Sequence, residues 1–218
     1  MTLTAAFADA NQTLASTAVL FTLTQTTFAN LAQGFDNVGI TDDSDVNPSG
    51  LAGGIDGDGS SLSQQALSAG GAAPGGTFTY GGVSFTWPSA AAGTPDNVIA
   101  DGQNVLVGKS GHTLGLLVTA TYVAPGTFSG TGTINYTDGT TQPFDVSVPE
   151  WWGGYTAPAD EAITMSYYNC PPVGQVQGSL HVFFVSANLD AAKTVGSITL
   201  PPAPGGRARL HVFSLAVG

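Results

Sequence analysis

The chain has 218 residues, of which 42% are hydrophobic, so it is long enough for one large domain with a sizeable core. Only 9% of the residues are charged, and 15 acidic against 4 basic residues give a formal net charge of −11. This charge argues against nucleic acids and anionic membranes as partners, since both require a cationic face. The single cysteine excludes an internal disulfide bond, and no apolar run reaches the roughly 18–20 residues of a membrane span.

Short apolar stretches bounded by glycine and proline follow one another along almost the whole chain, and they predict β-strands. Helical periodicity is confined to residues 5–16 and 63–70, each of which predicts a short helical turn. We expect residues 1–16 to form an N-terminal arm and residues 17–218 to form one domain. The predicted strands, in chain order, are 17–24, 77–87, 113–121, 130–137, 143–149, 163–168, 179–187, 195–200 and 208–217.

Two glycine turns predict β-hairpins, one at Gly81-Gly82 and one at Asp138-Gly139, because tight hairpin turns need residues with positive φ. Parallel strands need long crossover connections, and no crossover helix is predicted, so the strands are expected to pair antiparallel. The sequence therefore predicts an all-β fold, an antiparallel two-sheet β-sandwich of jelly-roll type. Trp87 ends a strictly alternating strand and is expected in the core.

The remaining candidate groups are expected to pack rather than react. His181 and His211 both lie in the tetrapeptide LHVF within apolar runs, which predicts two neighbouring strands with matched packing and not a zinc site. No G-x-S-x-G nucleophile elbow, P-loop or dinucleotide fingerprint is present. Cys170 has no nearby base in the sequence and is expected to be an inert thiol, and Tyr167 and Tyr168 are expected to pack.

An ordered series of motifs spans the chain from about residue 17 to its end: FDNVGITDDSDVNPSGLAGGIDGDGSSLSQQAL, GVSFTWP, PDNVIADGQNV, HTLGLLVTAT, GTINYTDGTTQPFDVSVPEWW, VGSITLP and RLHVFSLAV. The series resembles the galactose-binding-like β-sandwich module that is attached to many secreted bacterial glycoside hydrolases. The resemblance implies a non-catalytic, carbohydrate-binding-type accessory module whose partner is a glycoside hydrolase catalytic domain. Ile55 and Asp58 depart from the usual F-D-G-G-G pattern of that family.

The cellular location is predicted from composition. No basic segment follows Met1, so we expect either a cytosolic protein or an exported one whose signal peptide is not part of this sequence. The low lysine content and the abundance of threonine, serine, glycine and asparagine favour a secreted, extracellular protein.

A glycine-rich segment, residues 34–61, holds six of the fifteen acidic residues and no lysine or arginine. Calcium takes six to eight oxygen ligands from carboxylates and carbonyls, and crowded carboxylates repel one another unless a cation neutralises them. A structural Ca²⁺ ion is therefore predicted, and the family often carries one. The alternative is a solvated loop whose aspartates cap turns. The candidate ligands are Asp36, Asp42, Asp43, Asp45, Asp56 and Asp58.

The stretch PEWWGGY gathers aromatic residues directly after a predicted strand. Adjacent strand residues face opposite ways, so one tryptophan is expected in the core and the other at the surface. We expect Trp152 to be the surface platform for a neutral sugar, because two glycines open space beside it; the alternative is that both rings are wedged under loops. For Asp96, Asn97 and Asp101, the alternative to ligand binding is that they cap turns. The predicted ligand-binding residues are Trp152, Tyr155, Asp96, Asn97 and Asp101.

Catalysis is predicted only weakly. Glycoside hydrolysis needs two carboxylates about 5–10 Å apart, and Glu150 is the one glutamate in an aromatic setting. Asp96 or Asp101 would be its partner. Besides sugar binding, two functions therefore stay open: a structural or assembly module that joins a partner enzyme or itself without binding sugar, and a small stand-alone glycoside hydrolase.

Overall fold

The fold is built almost entirely from β-strands. A computed structural model describes residues 2–7, 15–20, 25–48, 53–153 and 159–218, with side chains from residue 25 onward. A 3₁₀ helix at Leu31–Gly34 and helix α1 at Gln64–Ala69 interrupt the strands. In chain order the strands are β1 (Thr2–Phe7), β2 (Ala15–Leu20), β3 (Thr27–Phe28), β4 (Ile40–Thr41), β5 (Ser61–Ser63), β6 (Thr77–Tyr80), β7 (Val83–Thr86), β8 (Val98–Ile99), β9 (Asn104–Lys109), β10 (Thr113–Thr121), β11 (Thr127–Tyr136), β12 (Thr141–Pro149), β13 (Glu161–Cys170), β14 (Gly174–Asn188), β15 (Val195–Thr199) and β16 (Arg209–Val217).

Two large sheets face each other, which confirms the predicted all-β sandwich. A seven-stranded sheet has the order β4-β5-β13-β14-β10-β16-β8, and a five-stranded sheet has the order β12-β11-β15-β9-β3. All the long strands pair antiparallel, as expected. Two short pairs, β3 with β9 and β4 with β5, run parallel and were not predicted. The core between the sheets is formed by alternate residues of both, such as Leu116 on β10 and Val146 on β12.

A second apolar layer covers the outer face of the seven-stranded sheet. Helix α1 and the β6–β7 hairpin pack there against β10, β13, β14 and β16. Trp87 lies in this layer at 1% exposure and stacks on Phe213, which confirms its predicted core position. Because β10 and residues 180–185 of β14 are buried on both faces, these sequences read as continuous apolar runs rather than as alternating ones.

The predicted hairpins form as expected. Gly81 and Gly82, with φ of 55° and 80°, turn β6 into β7. Gly139, with φ of 85°, turns β11 into β12, and the Asp138 carboxylate accepts a hydrogen bond from the Thr140 N–H at 2.9 Å. The turn chemistry therefore sets the register of both pairs.

The helical expectations have different outcomes. Residues 64–69 form α1, which is capped by the Ser63 hydroxyl accepting from the Ala66 N–H at 3.0 Å, so the expectation for 63–70 is confirmed. The expectation of a helical turn at 5–16 is wrong at both its ends, because residues 2–7 pair with residues 15–20 as an antiparallel hairpin. The rest of that stretch, and residues 21–24 of the first predicted strand, lie outside the described residues.

The two LHVF segments are not neighbouring strands, contrary to expectation. His181 lies on β14 and His211 on β16, and β10 runs between them. Both strands pair with β10. The two segments nevertheless face opposite ways, because Val182 lies in the outer apolar layer and Val212 lies in the core between the sheets. Among the described residues no helix is long and apolar enough to cross a membrane.

Candidate functional site

An open cleft of about 530 Å³ lies where three connections of the sandwich meet. One is the glycine-rich loop before β5, one follows β10, and one follows β12. We call this cavity the Trp152 cleft. It is lined by Asp56, Ser60, Tyr122, Ala124, Glu150, Trp151, Trp152, Gly153 and Tyr168.

The two tryptophans divide between core and surface, as the alternation of strand residues predicts. Trp151 is 5% exposed and packs edge-to-face on Tyr168, with ring centroids 5.5 Å apart. Trp152 is 51% exposed and lines the cleft. The indole of Trp152 therefore offers an open aromatic face, as expected for the sugar platform.

A glycine on the neighbouring strand β14 seats the Trp152 ring. Trp152 forms a β-bridge with Leu180, and the Gly153 N–H donates to the Ser179 carbonyl at 2.9 Å. A Cβ atom at Gly178 would lie 2.8 Å from the indole nitrogen, closer than van der Waals contact allows. The ring edge therefore occupies the space that a side chain at position 178 would need.

Glu150 anchors one wall of the cleft. Its Oε2 atom accepts hydrogen bonds from the N–H groups of Val123 and Ala124, at 2.8 and 3.2 Å. These bonds hold the chain just after Tyr122, whose φ of 57° lies in the left-handed region that non-glycine residues rarely adopt. Both donors bind Oε2, and Oε1 takes part in neither bond.

A cation–π and ion-pair cluster surrounds Tyr122, another lining residue of the cleft. The Arg207 guanidinium carbon lies 3.8 Å from the centre of the Tyr122 ring, and Nη2 donates to both Asp58 oxygens at 2.8 Å. The Tyr122 hydroxyl also donates to Asp58. These bonds, the tyrosine first and the arginine second, lower the pKa of Asp58, whereas burial and the Asp58 contact raise the pKa of Tyr122 to about 12.

This cluster corrects the expectation that no basic group accompanies the acidic loop. Arg207 lies 149 residues from Asp58 in the chain, and folding brings them together. A second cavity of about 280 Å³ continues from the cleft, with Tyr122 and Asp56 in both walls, and Arg209 and His211 line it.

Most of the predicted calcium ligands cap turns or cross-link loops. Asp36 accepts from the Ile99 N–H at 2.9 Å, and burial raises its pKa. Asp42 accepts from the Ser44 N–H at 2.8 Å, and its hydrogen bonds, that of the Ser44 hydroxyl foremost, lower its pKa. Asp56 accepts from two backbone N–H groups, those of Asp58 at 2.8 Å and Ser60 at 3.0 Å. These contacts are those of the capping alternative.

The carboxylate of Asp43 joins strands β5 and β13, and Asp45 is placed by its backbone. Asp43 accepts from the hydroxyls of Ser63 and Tyr167 at 2.6 and 2.9 Å, and from the Asn169 amide at 3.2 Å. The Asp45 N–H donates to the Asp42 carbonyl at 3.0 Å. Across the described residues there is no group of three or more His, Cys, Asp or Glu side chains placed to hold a metal ion.

The predicted polar ligand contacts lie apart from the Trp152 cleft. Asp96 is 2% exposed and accepts from the N–H groups of Gly39 and Ile40, at 3.1 and 2.8 Å. Burial raises the pKa of Asp96 to about 7. Asn97 is fully buried and lies 2.9 Å from His211 Nδ1, where burial lowers the histidine pKa to about 3. The imidazole is therefore neutral at physiological pH.

The other two predicted ligand-binding residues are Asp101 and Tyr155. Asp101 is exposed and accepts from the Ala203 N–H at 3.1 Å, which ties two turns together. Tyr155 lies outside the described residues. For Asp96, Asn97 and Asp101 the contacts seen are therefore those of the turn-capping alternative.

Sequence reasoning missed Tyr122, Ser60 and Arg207 as site residues. Tyr122 follows the last residue of β10, and its left-handed backbone aims the ring at the loop, which no sequence pattern records. Arg207 could have been chosen from the sequence as a partner of the acidic loop, since it is one of only four basic residues. No known protein-family model matches the chain, and no curated protein is similar to it.

Proposed function

We propose that the protein is a carbohydrate-binding-type module of a secreted bacterial polysaccharide-degrading system, and that the Trp152 cleft is a non-catalytic site that binds a neutral glycan. The observation that carries the proposal is the half-exposed indole of Trp152 beside polar groups in one open cleft. The resemblance of the sequence to galactose-binding-like modules supports the same function.

The chemistry of the cleft suits a sugar ring. A sugar presents an apolar C–H face, which stacks on an indole, and a rim of hydroxyls, which need acceptors and donors. Asp56 and Glu150 supply carboxylate acceptors, and the hydroxyls of Ser60 and Tyr168 can serve as either partner. An anionic glycan would be repelled by these carboxylates and by the net charge of −11, so the ligand is neutral.

A structural calcium ion in the acidic loop belongs to the proposal. Asp42, Asp43 and Asp45 lie within four residues of one another, and none of them forms a salt bridge with the lysines and arginines of the described chain. Mutual repulsion of these carboxylates favours a bound cation.

Binding to a panel of neutral oligosaccharides tests the sugar proposal. The wild-type protein is expected to bind at least one of them, and Trp152→Ala is expected to abolish the signal. Leu106→Ala is the matched control, because Leu106 is similarly exposed, at 48%, but lies on β9 of the other sheet. No binding by the wild type, or equal binding by Trp152→Ala, would contradict the proposal.

An assembly role is the second candidate, and the edge of the five-stranded sheet favours it. Among the described residues, β3 pairs with β9 only at Asn104 and Val105, so the rest of β9 presents an open edge beside an apolar groove of about 410 Å³. A stable dimer, or a complex with a glycoside hydrolase catalytic domain, that Leu106→Asp disrupts would support this role in place of sugar binding.

A stand-alone glycoside hydrolase is the third candidate, because Asp56 and Glu150 line the same cleft. Release of reducing sugar that Glu150→Gln abolishes would support it. The two N–H donors that hold Glu150 Oε2 favour a fixed acceptor rather than a proton donor.

A further inference from the structure

A serine, a histidine and a glutamate form a relay on the paired strands β13 and β14. The Ser179 Oγ atom lies 3.1 Å from His181 Nε2. The other ring nitrogen of His181, Nδ1, lies 3.1 Å from Glu161 Oε2. The glutamate oxygen is itself held by the Thr164 hydroxyl, which donates to it at 3.0 Å.

The strand periodicity explains why these side chains meet. Residues 179 and 181 are two apart on β14, so their side chains share one face of the sheet. On β13, Thr164 is the register partner of His181, and a bulge between Glu161 and Ile163 brings the glutamate to the same place. The indole of Trp152 contacts Gly178, whose position faces the opposite side of the strand. The relay is therefore separate from the Trp152 cleft.

The three groups differ in burial. Ser179 is exposed, the His181 side chain is 6% exposed, and the Glu161 side chain is 40% exposed. The histidine stacks on Phe183, with ring centroids 5.7 Å apart, which fixes the plane of its ring. A serine open to solvent is thus joined to a histidine that cannot rotate, and the histidine to a carboxylate.

We propose that Ser179, His181 and Glu161 form a hydrolytic site for short-chain carboxylic esters. With the proton of the imidazole on Nδ1, the nitrogen that lies nearer Glu161, Nε2 is left to accept from the serine. Ser179 and His181 are then the catalytic residues, and Glu161 is a positioning residue. Ser179 is exposed on the strand, so a small ester such as an acetate can approach Oγ from solvent.

The reaction balances with water as the second substrate. Ser179 Oγ bonds to the ester carbonyl carbon as its proton passes to His181 Nε2. The bond from that carbon to the alcohol oxygen breaks, and the alcohol leaves with the proton from Nε2. Water then attacks the acylated serine and gives a proton to Nε2. The bond to Oγ breaks, Oγ regains the proton, and the carboxylic acid is released.

Labelling with a fluorophosphonate probe tests the nucleophile in the full chain. One adduct is expected, on Ser179 by peptide mapping, and Ser179→Ala is expected to remove it. Ser166→Ala is the matched control, since Ser166 is an exposed serine on β13, the strand paired with β14. Labelling that is absent in the wild type, or that persists in Ser179→Ala, would overturn the proposal. It would show that Ser179 only provides a hydrogen-bond partner for a buried histidine.

Hydrolysis of p-nitrophenyl acetate tests the relay. Ser179→Ala is expected to lower kcat/KM about a hundredfold, the usual contribution of a positioned base and its nucleophile. Glu161→Gln keeps the shape of the side chain and is expected to lower kcat while leaving KM and the melting temperature unchanged. Equal rates for wild type and Ser179→Ala would refute the site, and an unchanged kcat in Glu161→Gln would refute the role given to the glutamate.

Discussion

Replacing Asp96 by asparagine tests whether the carboxyl group buried beneath the loops titrates near neutral pH. Its oxygens accept hydrogen bonds from the N–H groups of Gly39 and Ile40 and from the Asn97 amide. Burial raises the pKa of Asp96 to about 7 in the folded protein, whereas an unfolded aspartate titrates at about 3.9. Between these two values the folded state holds a proton that the unfolded chain has released.

The sign and size of the effect follow from proton linkage. Because the folded state binds more protons in this interval, the free energy of unfolding falls as pH rises from about 4 to about 7, and above that the group has no further effect. Between about pH 5 and about pH 8, only the roughly two pH units below the folded pKa change the free energy of unfolding. At about 1.4 kcal/mol per pH unit, this free energy falls by about 3 kcal/mol. That loss corresponds to about 6–12 °C in Tm for a domain of this size.

Urea denaturation of wild type and Asp96→Asn, at both pH values and equal ionic strength, measures the effect. The other carboxylates titrate alike in the two proteins, so their difference isolates Asp96. The stability of the wild type relative to the variant is expected to fall by about 3 kcal/mol between about pH 5 and about pH 8. Parallel pH dependence of the two proteins would refute the reasoning and show that the N–H donors keep the carboxylate ionised throughout.

Three further outcomes are expected. Removal of calcium with EDTA should lower Tm by about 5–10 °C, the shift for an ion present at about a hundred times its dissociation constant. An unchanged Tm in differential scanning calorimetry would mean that hydrogen bonds alone, and no calcium ion, stabilise the loop. Gly178→Ala should displace the Trp152 indole, shifting the tryptophan emission to longer wavelength and weakening glycan binding, and an unchanged spectrum would show that the ring is not seated there. Arg207→Ala should leave the midpoint of urea denaturation nearly unchanged, because the pair with Asp58 is solvent-exposed, and a clearly lower midpoint would mean that the cluster supports the whole loop.

The sequence predicts the long strands well because their pattern depends on local burial and local turn residues. The strand at 113–121 is found with the same bounds, and the hairpins at Gly81-Gly82 and Asp138-Gly139 form as expected. The short strands β3, β4, β5 and β8 were missed, because two or three residues carry no periodicity, and the six-residue strand β9 was missed as well. The pairing of the short strands is decided by the long-range contacts of the loops that contain them.

The candidate site could be predicted only in part. Alternation predicted that one tryptophan is buried and the other exposed, and the two glycines after Trp152 favoured it as the exposed one, which needs no knowledge of the rest of the fold. The partner of Asp58 is 149 residues away, and only the closed sandwich brings Arg207 to it. The contacts among Ser179, His181 and Glu161 were missed for two reasons. The apolar run around His181 predicted a packed histidine, and the bulge on β13 that brings Glu161 next to it leaves no pattern in the sequence.

The affinity of the Trp152 cleft for a neutral oligosaccharide from the panel tests the central claim most directly. A tryptophan presents about 150–250 Å², and 51% of Trp152 is exposed, so a stacked sugar would cover up to about 80–130 Å² of it, worth about 2–3 kcal/mol at about 25 cal/mol per Å². Isothermal titration calorimetry is therefore expected to show Kd rising about thirtyfold to a hundredfold or more in Trp152→Ala, and staying unchanged in Leu106→Ala. Equal affinities for the wild type and Trp152→Ala would contradict the claim that this cleft binds the sugar.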